Sequence, residues 1–184
     1  MRLPIRKYGD PILRAKGRRI EAVDEHIRVL AENMLETMHA ANGVGLAAQQ
    51  VGEALQLTVL DVSQVEDRPS TLKLNGDAAD IATAMPLVLL NPTLRAGEEK
   101  SSGTEGCLSF PDITAEIDRA TTVELEAETL EGEKIGDRIL GAVEWNLFDI
   151  DAKFGDVEFL GTVTFGFLLD DHVAQGVVGN GHVV

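Results

Sequence analysis

The sequence contains a single cysteine, Cys107, in 184 residues, which excludes an internal disulfide framework. It has no uninterrupted apolar stretch of about 20 residues, the length that a bilayer-spanning helix requires, so we expect no membrane partner. No apolar run follows the early basic residues Arg2, Arg6 and Lys7, so the first residues lack the form of a secretory signal. These absences predict a cytoplasmic protein.

Basic residues are scarce. There are 16 Lys and Arg against 31 Asp and Glu, which gives a formal net charge of −15. A chain this acidic repels phosphate backbones, so we expect no direct binding to nucleic acid. Hydrophobic residues make up 44% of the chain, which is typical of a globular protein, and we see no internal repeat. We therefore expect a single domain over residues 1–184.

Apolar periodicity and capping residues predict one long helix near the start of the chain. Asp24 can cap its N-terminus, and Asn42-Gly43 can accommodate the left-handed conformation that ends a helix. Ile27, Leu30, Met34 and Met38 recur at helical spacing, which predicts a buried face.

Short apolar or alternating runs predict strands at 55–62, 87–90 and 121–130, the last followed by a turn at Glu131-Gly132. Residues 2–20 are expected to form an irregular arm with a turn at Gly9-Asp10-Pro11. The polar residues 64–80 and 96–106 are expected to be surface loops. One long helix followed by short antiparallel strands predicts an α+β domain.

Two segments contain residue types suited to catalysis. The first is Gly43-Val44-Gly45-Leu46-Ala47-Ala48-Gln49-Gln50, the Gly loop, where small residues allow close approach and a Gln can donate to an oxyanion. The second is Glu105-Gly106-Cys107-Leu108-Ser109-Phe110-Pro111, the Cys loop, where a thiolate can bind a metal. Each has a purely structural alternative: a tight helix-to-strand connection for the Gly loop and a buried thiol for the Cys loop.

Together the two segments resemble the peptide deformylase family. The Gly loop matches the family motif Gly-x-Gly-x-Ala-Ala-x-Gln at every fixed position, and Glu105 to Ser109 match Glu-Gly-Cys-Leu-Ser in full. The likeness covers about residues 2–135, including the opening segment Tyr8 to Arg14, Leu90-Asn91-Pro92 and Arg119. It implies the α+β deformylase fold, with antiparallel sheets around a central helix.

The resemblance implies removal of the formyl group from formyl-methionyl nascent peptides. Gln50 and the backbone amide of Leu108 would stabilise the oxyanion, and Cys107 would be a metal ligand. The residues that would lie against the substrate are Gly43, Val44, Gly45, Glu105 and Gly106. Of these, Glu105 would brace its loop rather than react. The implied metal is Fe(II), with Zn, Ni or Co able to replace it, and the implied macromolecular partner is the ribosome.

The family's third motif, His-Glu-x-x-His, is absent. No two of the four histidines, His26, His39, His172 and His182, are three or four residues apart. The expected place, residues 139–151, has only Asp149 and Asp151 as faint equivalents. Two alternatives for the missing ligands are these carboxylates, or His172 and His182 brought together by a loop.

Three explanations of residues 136–184 remain open. The chain could be a homologue that lost the metal-binding helix and now acts as a catalytically silent binding protein. A reading-frame shift near Lys134–Asp137 could have replaced the C-terminus and left an inactive deformylase, which sequencing the coding DNA would test. Finally, the divergent tail could form a different site.

Overall fold

Antiparallel strands dominate the structure. The computed structural model describes residues 1–65 and 71–140. In chain order its elements are a 3-10 helix (Pro11–Arg14), α1 (Glu25–Ala40), β1 (Gly45–Ala47), a 3-10 helix (Ala48–Val51), β2 (Leu57–Leu60), β3 (Thr71–Leu74), β4 (Asp77–Ala79), α2 (Ile81–Ala84), β5 (Leu87–Ala96), β6 (Lys100–Cys107), β7 (Phe110–Ala120), β8 (Thr122–Glu128) and β9 (Lys134–Leu140).

Seven strands form one sheet in the order β1-β2-β5-β8-β9-β3-β4, and β6 and β7 form a separate two-stranded sheet. Neighbouring strands run antiparallel in both sheets. The combination of α1 with antiparallel sheets confirms the predicted α+β class.

The boundaries of α1 follow from local chemistry. The Asp24 carboxylate accepts a hydrogen bond from the Ile27 amide at 2.9 Å, which caps the first turn. Asn42 adopts a φ of 53°, which ends the helix as predicted. The apolar face of α1 is buried in a cluster with residues of β1 and β2, including Leu46 and Val59. Burial of such side chains stabilises the fold by about 1.5–3 kcal/mol each.

Three predicted strands are confirmed as β2, β5 and β8. In β8 the side chains of Val123, Leu125 and Ala127 are buried while Glu124 and Glu126 are exposed, the alternation expected of a half-covered sheet. β5 continues beyond the predicted end at residue 90 to Ala96, with a register shift between Leu90 and Thr93. The arm is irregular as expected, apart from its short 3-10 helix.

Two loop predictions are wrong. Within residues 64–80, β3 and β4 form a hairpin whose turn uses Asn75 and Gly76 at φ of 53° and 88°. Within residues 96–106, β6 pairs along its length with β7. Both faces of β6 are largely exposed, so its sequence shows no apolar alternation, and pairing with β7 determines its conformation.

The strand β9 extends the sheet beyond residue 136. It pairs with β8 from Lys134 opposite Glu128 to Leu140 opposite Thr122. The expected central helix and its candidate ligands fall in residues 141–184, outside the described part of the chain. No helix in residues 1–65 or 71–140 combines the length and apolar character of a membrane span.

Candidate active site

The Gly loop forms the edge of the large sheet and then a 3-10 helix. Gly45 lies in β1, which pairs with β2 on one edge, and no strand in residues 1–65 or 71–140 pairs with its other edge. Ala47 and Ala48 are almost fully buried where the chain turns from strand to helix. Gln50 is also buried, and its Oε1 atom accepts a hydrogen bond from the Ala47 amide at 3.0 Å. This bond orients the Gln50 side chain.

The Cys loop is the tip of the hairpin formed by β6 and β7. Cys107 lies opposite Phe110, so Leu108 and Ser109 are the two residues of the turn. The Ser109 side chain is completely buried, whereas Gly106 is exposed on β6.

The two loops meet through Gln50. Its Nε2 atom donates to the Ser109 hydroxyl at 3.1 Å and lies 3.9 Å from the Cys107 sulfur. A Cβ atom added to Gly43 would lie 2.7 Å from Cδ1 of Leu108, so Gly43 allows the Leu108 side chain to approach closely. The structure thus brings together Gln50, Cys107 and Leu108, the three residues predicted to be catalytic or metal-binding.

The Cys107 thiol is held mainly in its protonated form. Burial raises its pKa, and this effect outweighs the backbone amides of Ser109 and Phe110 and the charge of Lys7, which lower it. A thiolate is the form that binds metals, so a cation near the sulfur would have to displace the proton.

Two hydrogen-bond donors of this site have no strong acceptor among the described residues. The Leu108 amide donates to none of the residues in the described ranges. The Gln50 N–H that faces Cys107 makes only a long contact to sulfur, so it is available to a better acceptor. Two such donors can stabilise an oxygen that gains negative charge, as in an oxyanion hole.

Glu105 braces the hairpin rather than the centre of the site. Its buried carboxylate forms a two-pronged ion pair with Arg119, with N–O distances of 3.1, 3.2 and 3.4 Å. Because both oxygens of the Glu105 carboxylate bond to the Arg119 guanidinium, the carboxylate is held at this pair.

The arm contributes contacts that sequence reasoning missed. The Arg6 amide donates to the Gln50 carbonyl at 2.7 Å, and the Tyr8 amide donates to the Ser109 carbonyl at 2.9 Å. Between them, Lys7 donates through Nζ to the Leu108 carbonyl at 2.7 Å. No motif marks these residues; the role of Ser109 as acceptor for Gln50 was also missed, although Ser109 belongs to the Cys loop.

The described residues do not fit a metal ion. Within residues 1–65 and 71–140, no three His, Cys, Asp or Glu side chains lie close enough together to hold one. His39 is bonded to Asp61 at 2.9 Å, and His26 is exposed on α1. Cys107 remains the one candidate ligand beside Gln50 in these ranges. His172, His182, Asp149 and Asp151 lie outside the described residues.

The geometry agrees with the sequence comparison. Residues 2–143 match the family described as polypeptide deformylase, which is more than half of the chain. The chain belongs to the peptide deformylase family. This finding confirms the resemblance carried by the Gly loop and the Cys loop, and the family is one of hydrolases.

Individual peptide deformylases are similar over most of the same region. One from Methylacidiphilum infernorum (isolate V4) is 46% identical over 125 residues, which cover 68% of this chain and 65% of that protein. The match thus spans slightly less than two-thirds of that relative's length. One from Endomicrobium trichonymphae is 35% identical over 156 residues and 83% of each chain.

Crystal structures of peptide deformylases share the fold. The enzyme from Thermotoga maritima superposes with a TM-score of 0.64 at 31% identity, covering 77% of this chain and 83% of that one. A class I type b deformylase from Acinetobacter baumannii, bound to Met-Ala-Ser, gives a TM-score of 0.63 at 29% identity, covering 77% and 86%.

Proposed function

We propose that this chain binds the formyl-methionyl N-terminus of new peptides and hydrolyses its formyl group, as a peptide deformylase. The observation that carries the proposal is the convergence of Gln50 with Cys107 and Leu108. The Acinetobacter deformylase bound to Met-Ala-Ser supports a peptide with an N-terminal methionine as the ligand. Because nascent chains carry this group, the ribosome is the macromolecular partner that the function implies.

The proposed roles follow from the positions of the residues. The Gln50 side chain and the Leu108 amide hold the formyl oxygen as it gains negative charge. The peptide backbone adds to the edge of β1 away from β2, beside Val44 and Gly45, the mode by which extended peptides extend a sheet. Gly43 lies against the Leu108 side chain and forms one wall of the site. Glu105 and Gly106 support the opposite wall through β6.

A metal at this site would need ligands from outside the described residues. We propose Cys107 as one ligand, and Fe(II), Zn, Ni or Co as candidate metals. The further ligands would come from residues 66–70 or 141–184, which lie outside the described part of the chain. The roles given to Gln50 and Leu108 therefore concern how the substrate is bound and its formyl oxygen held, and not how water is activated.

A second candidate function is binding without catalysis. It is favoured by the sequence, in which no two of the four histidines have the His-Glu-x-x-His spacing that supplies two ligands and a base. A silent homologue would retain the Gln50 and Leu108 donors and still recognise a formyl-methionyl peptide. A chain altered by a frame shift would behave in the same way or would fail to bind.

Metal content and formate release separate these functions. The purified full chain is analysed for Fe, Ni, Co and Zn and then assayed for formate released from formyl-Met-Ala-Ser. Stoichiometric metal with formate release supports the enzyme, and metal-free protein without release refutes it. The Cys107→Ser variant should lose both properties; full metal occupancy in this variant would show that Cys107 is not a ligand. Binding of the peptide without release supports the silent homologue.

A further inference from the structure

We propose that Lys7 is a positioning residue for the oxyanion site, acting through a clasp formed by residues 6–8. Three successive residues of the arm bond to the two loops of the site. The Arg6 amide holds the Gln50 carbonyl of the Gly loop, while Lys7 Nζ and the Tyr8 amide hold the Leu108 and Ser109 carbonyls of the Cys loop. The clasp therefore joins the two segments that carry the proposed oxygen-binding donors.

Within the clasp, Lys7 bonds to the residue whose backbone amide is proposed to bind the oxyanion. Leu108 and Ser109 form a two-residue turn, and the Leu108 carbonyl is the acceptor that Lys7 binds at 2.7 Å. The Leu108 carbonyl shares its peptide plane with the Ser109 N–H, and this plane meets the plane of the Leu108 N–H at the Leu108 Cα. Holding the carbonyl therefore removes part of the freedom with which the turn could rotate and carry the Leu108 N–H away. The ammonium group also places positive charge beside the turn, which favours a negative oxygen there.

The clasp has an aromatic anchor. The rings of Tyr8 and Phe110 lie with their centroids 5.1 Å apart at 35°, just beyond the turn. This contact holds the arm against β7 independently of Lys7. Loss of the Lys7 ammonium should therefore loosen the turn without releasing the arm.

The inference rests on the proposed function, so its test has one measurement that needs no peptide and one that does. Lys7→Met removes the ammonium and keeps much of the side chain's apolar bulk, and Lys7→Arg restores a cationic donor. Lys16→Met is the matched control, because Lys16 is exposed on the same arm and has no side-chain hydrogen bond to a described residue. Amide hydrogen exchange is measured in the full chain without ligand at Ser109 and Phe110, whose backbone amides bond to the Cys107 sulfur.

Loss of one charge-assisted hydrogen bond should speed exchange at Ser109 and Phe110 about tenfold in Lys7→Met. Lys7→Arg should return most of the protection, and Lys16→Met should match the unaltered chain. Unchanged exchange in Lys7→Met, or equal changes in Lys7→Met and Lys16→Met, would overturn the inference. So would a failure of Lys7→Arg to restore protection.

The second measurement connects the clasp to the substrate. Where the unaltered chain releases formate from formyl-Met-Ala-Ser, Lys7→Met should lower kcat about tenfold with little change in KM, because the donor acts on charge that develops during the reaction. A rise in KM alone would contradict a role at the oxyanion. If the unaltered chain neither binds nor cleaves the peptide, the proposed function fails while the exchange measurement still decides whether the clasp exists.

Discussion

Gln50 and Ser109 are linked by a hydrogen bond of 3.1 Å from the Gln50 side-chain amide to the Ser109 hydroxyl, and both side chains are buried. The same Gln50 side chain accepts from the Ala47 amide at 3.0 Å. Its carboxamide is therefore fixed at both ends, and its second N–H is aimed at the region beside Cys107. Orientation of this donor depends on Ser109.

Ser109→Ala should weaken both the fold and the binding of a formyl peptide. The substitution leaves a buried N–H of Gln50 without its acceptor, which costs about 1–2 kcal/mol. Urea unfolding measures the loss of stability, and calorimetry with formyl-Met-Ala-Ser measures binding. Ser101→Ala, on the exposed part of β6, is the control and should change neither value. Equal stability of the two variants would show that the Gln50–Ser109 bond contributes nothing.

Gly43→Ala should reduce peptide binding more than stability. The added Cβ would lie 2.7 Å from Cδ1 of Leu108, the flexible end of a side chain that can move aside at a cost of about 1 kcal/mol. The displaced Leu108 side chain then occupies space at the site, so we expect affinity for formyl-Met-Ala-Ser to fall about tenfold. Gly136→Ala is the control, because a Cβ there meets no atom within 4 Å. Tight binding by Gly43→Ala would show that peptides do not approach this wall.

The sequence predicts the elements that depend on local chemistry. The Asp24 cap, the left-handed Asn42 and the alternation in β8 are properties of neighbouring residues, so α1 and β8 could be located without a structure. The hairpin of β6 and β7 depends on pairing between distant residues with exposed side chains. No local pattern marks such strands, and this is why the sequence predicts a loop over residues 96–106.

The residues of the candidate site also divide into those that the sequence marks locally and those whose roles depend on distant contacts. Gln50, Cys107 and Leu108 could be chosen because they belong to the two motifs that resemble the family, and the side chains of Gln50 and Cys107 are also of types suited to the chemistry. Lys7 and Ser109 could not, because a lysine in an irregular arm and a serine in a turn gain their roles only from what they touch. Their partners lie 101 and 59 residues away in sequence.

Glu105→Gln should destabilise the fold strongly. The substitution removes the charge that pairs with Arg119 and leaves the guanidinium, 14% exposed, with no compensating carboxylate in the pair. Breaking one side of a buried pair typically costs about 3 kcal/mol. Glu128→Gln is the matched control, because its ion pair with Arg19 is much more exposed and should be worth less than about 1 kcal/mol. Similar urea midpoints for the two variants would contradict a bracing role for Glu105.

The pair of His39 and Asp61 predicts a dependence of stability on pH. Burial raises the pKa of Asp61, but hydrogen bonds from the Ser63 hydroxyl and amide and the contact with His39 outweigh it, so the pKa is lowered overall. A carboxyl group with a lowered pKa in the folded state stabilises the fold above its unfolded pKa of about 3.9, and this contribution disappears as pH falls through the folded value. Asp61 also donates through its amide to the Val44 carbonyl at 2.8 Å, which places it next to the Gly loop.

Asp61→Asn should therefore lower the free energy of unfolding at pH 7 by about 1.5 kcal/mol, the contribution of hydrogen bonds to a charged group. The difference from the unaltered chain should shrink below about pH 4 and vanish in stronger acid, where both side chains are neutral. Urea unfolding, measured at intervals of about one pH unit between pH 2 and 7, gives this difference in the free energy of unfolding. Asp77→Asn on the exposed strand β4 is the control and should follow the unaltered chain at each pH. If Asp61→Asn lowered the free energy of unfolding by the same amount at every pH, the Asp61 side chain would act by its shape and not by its charge.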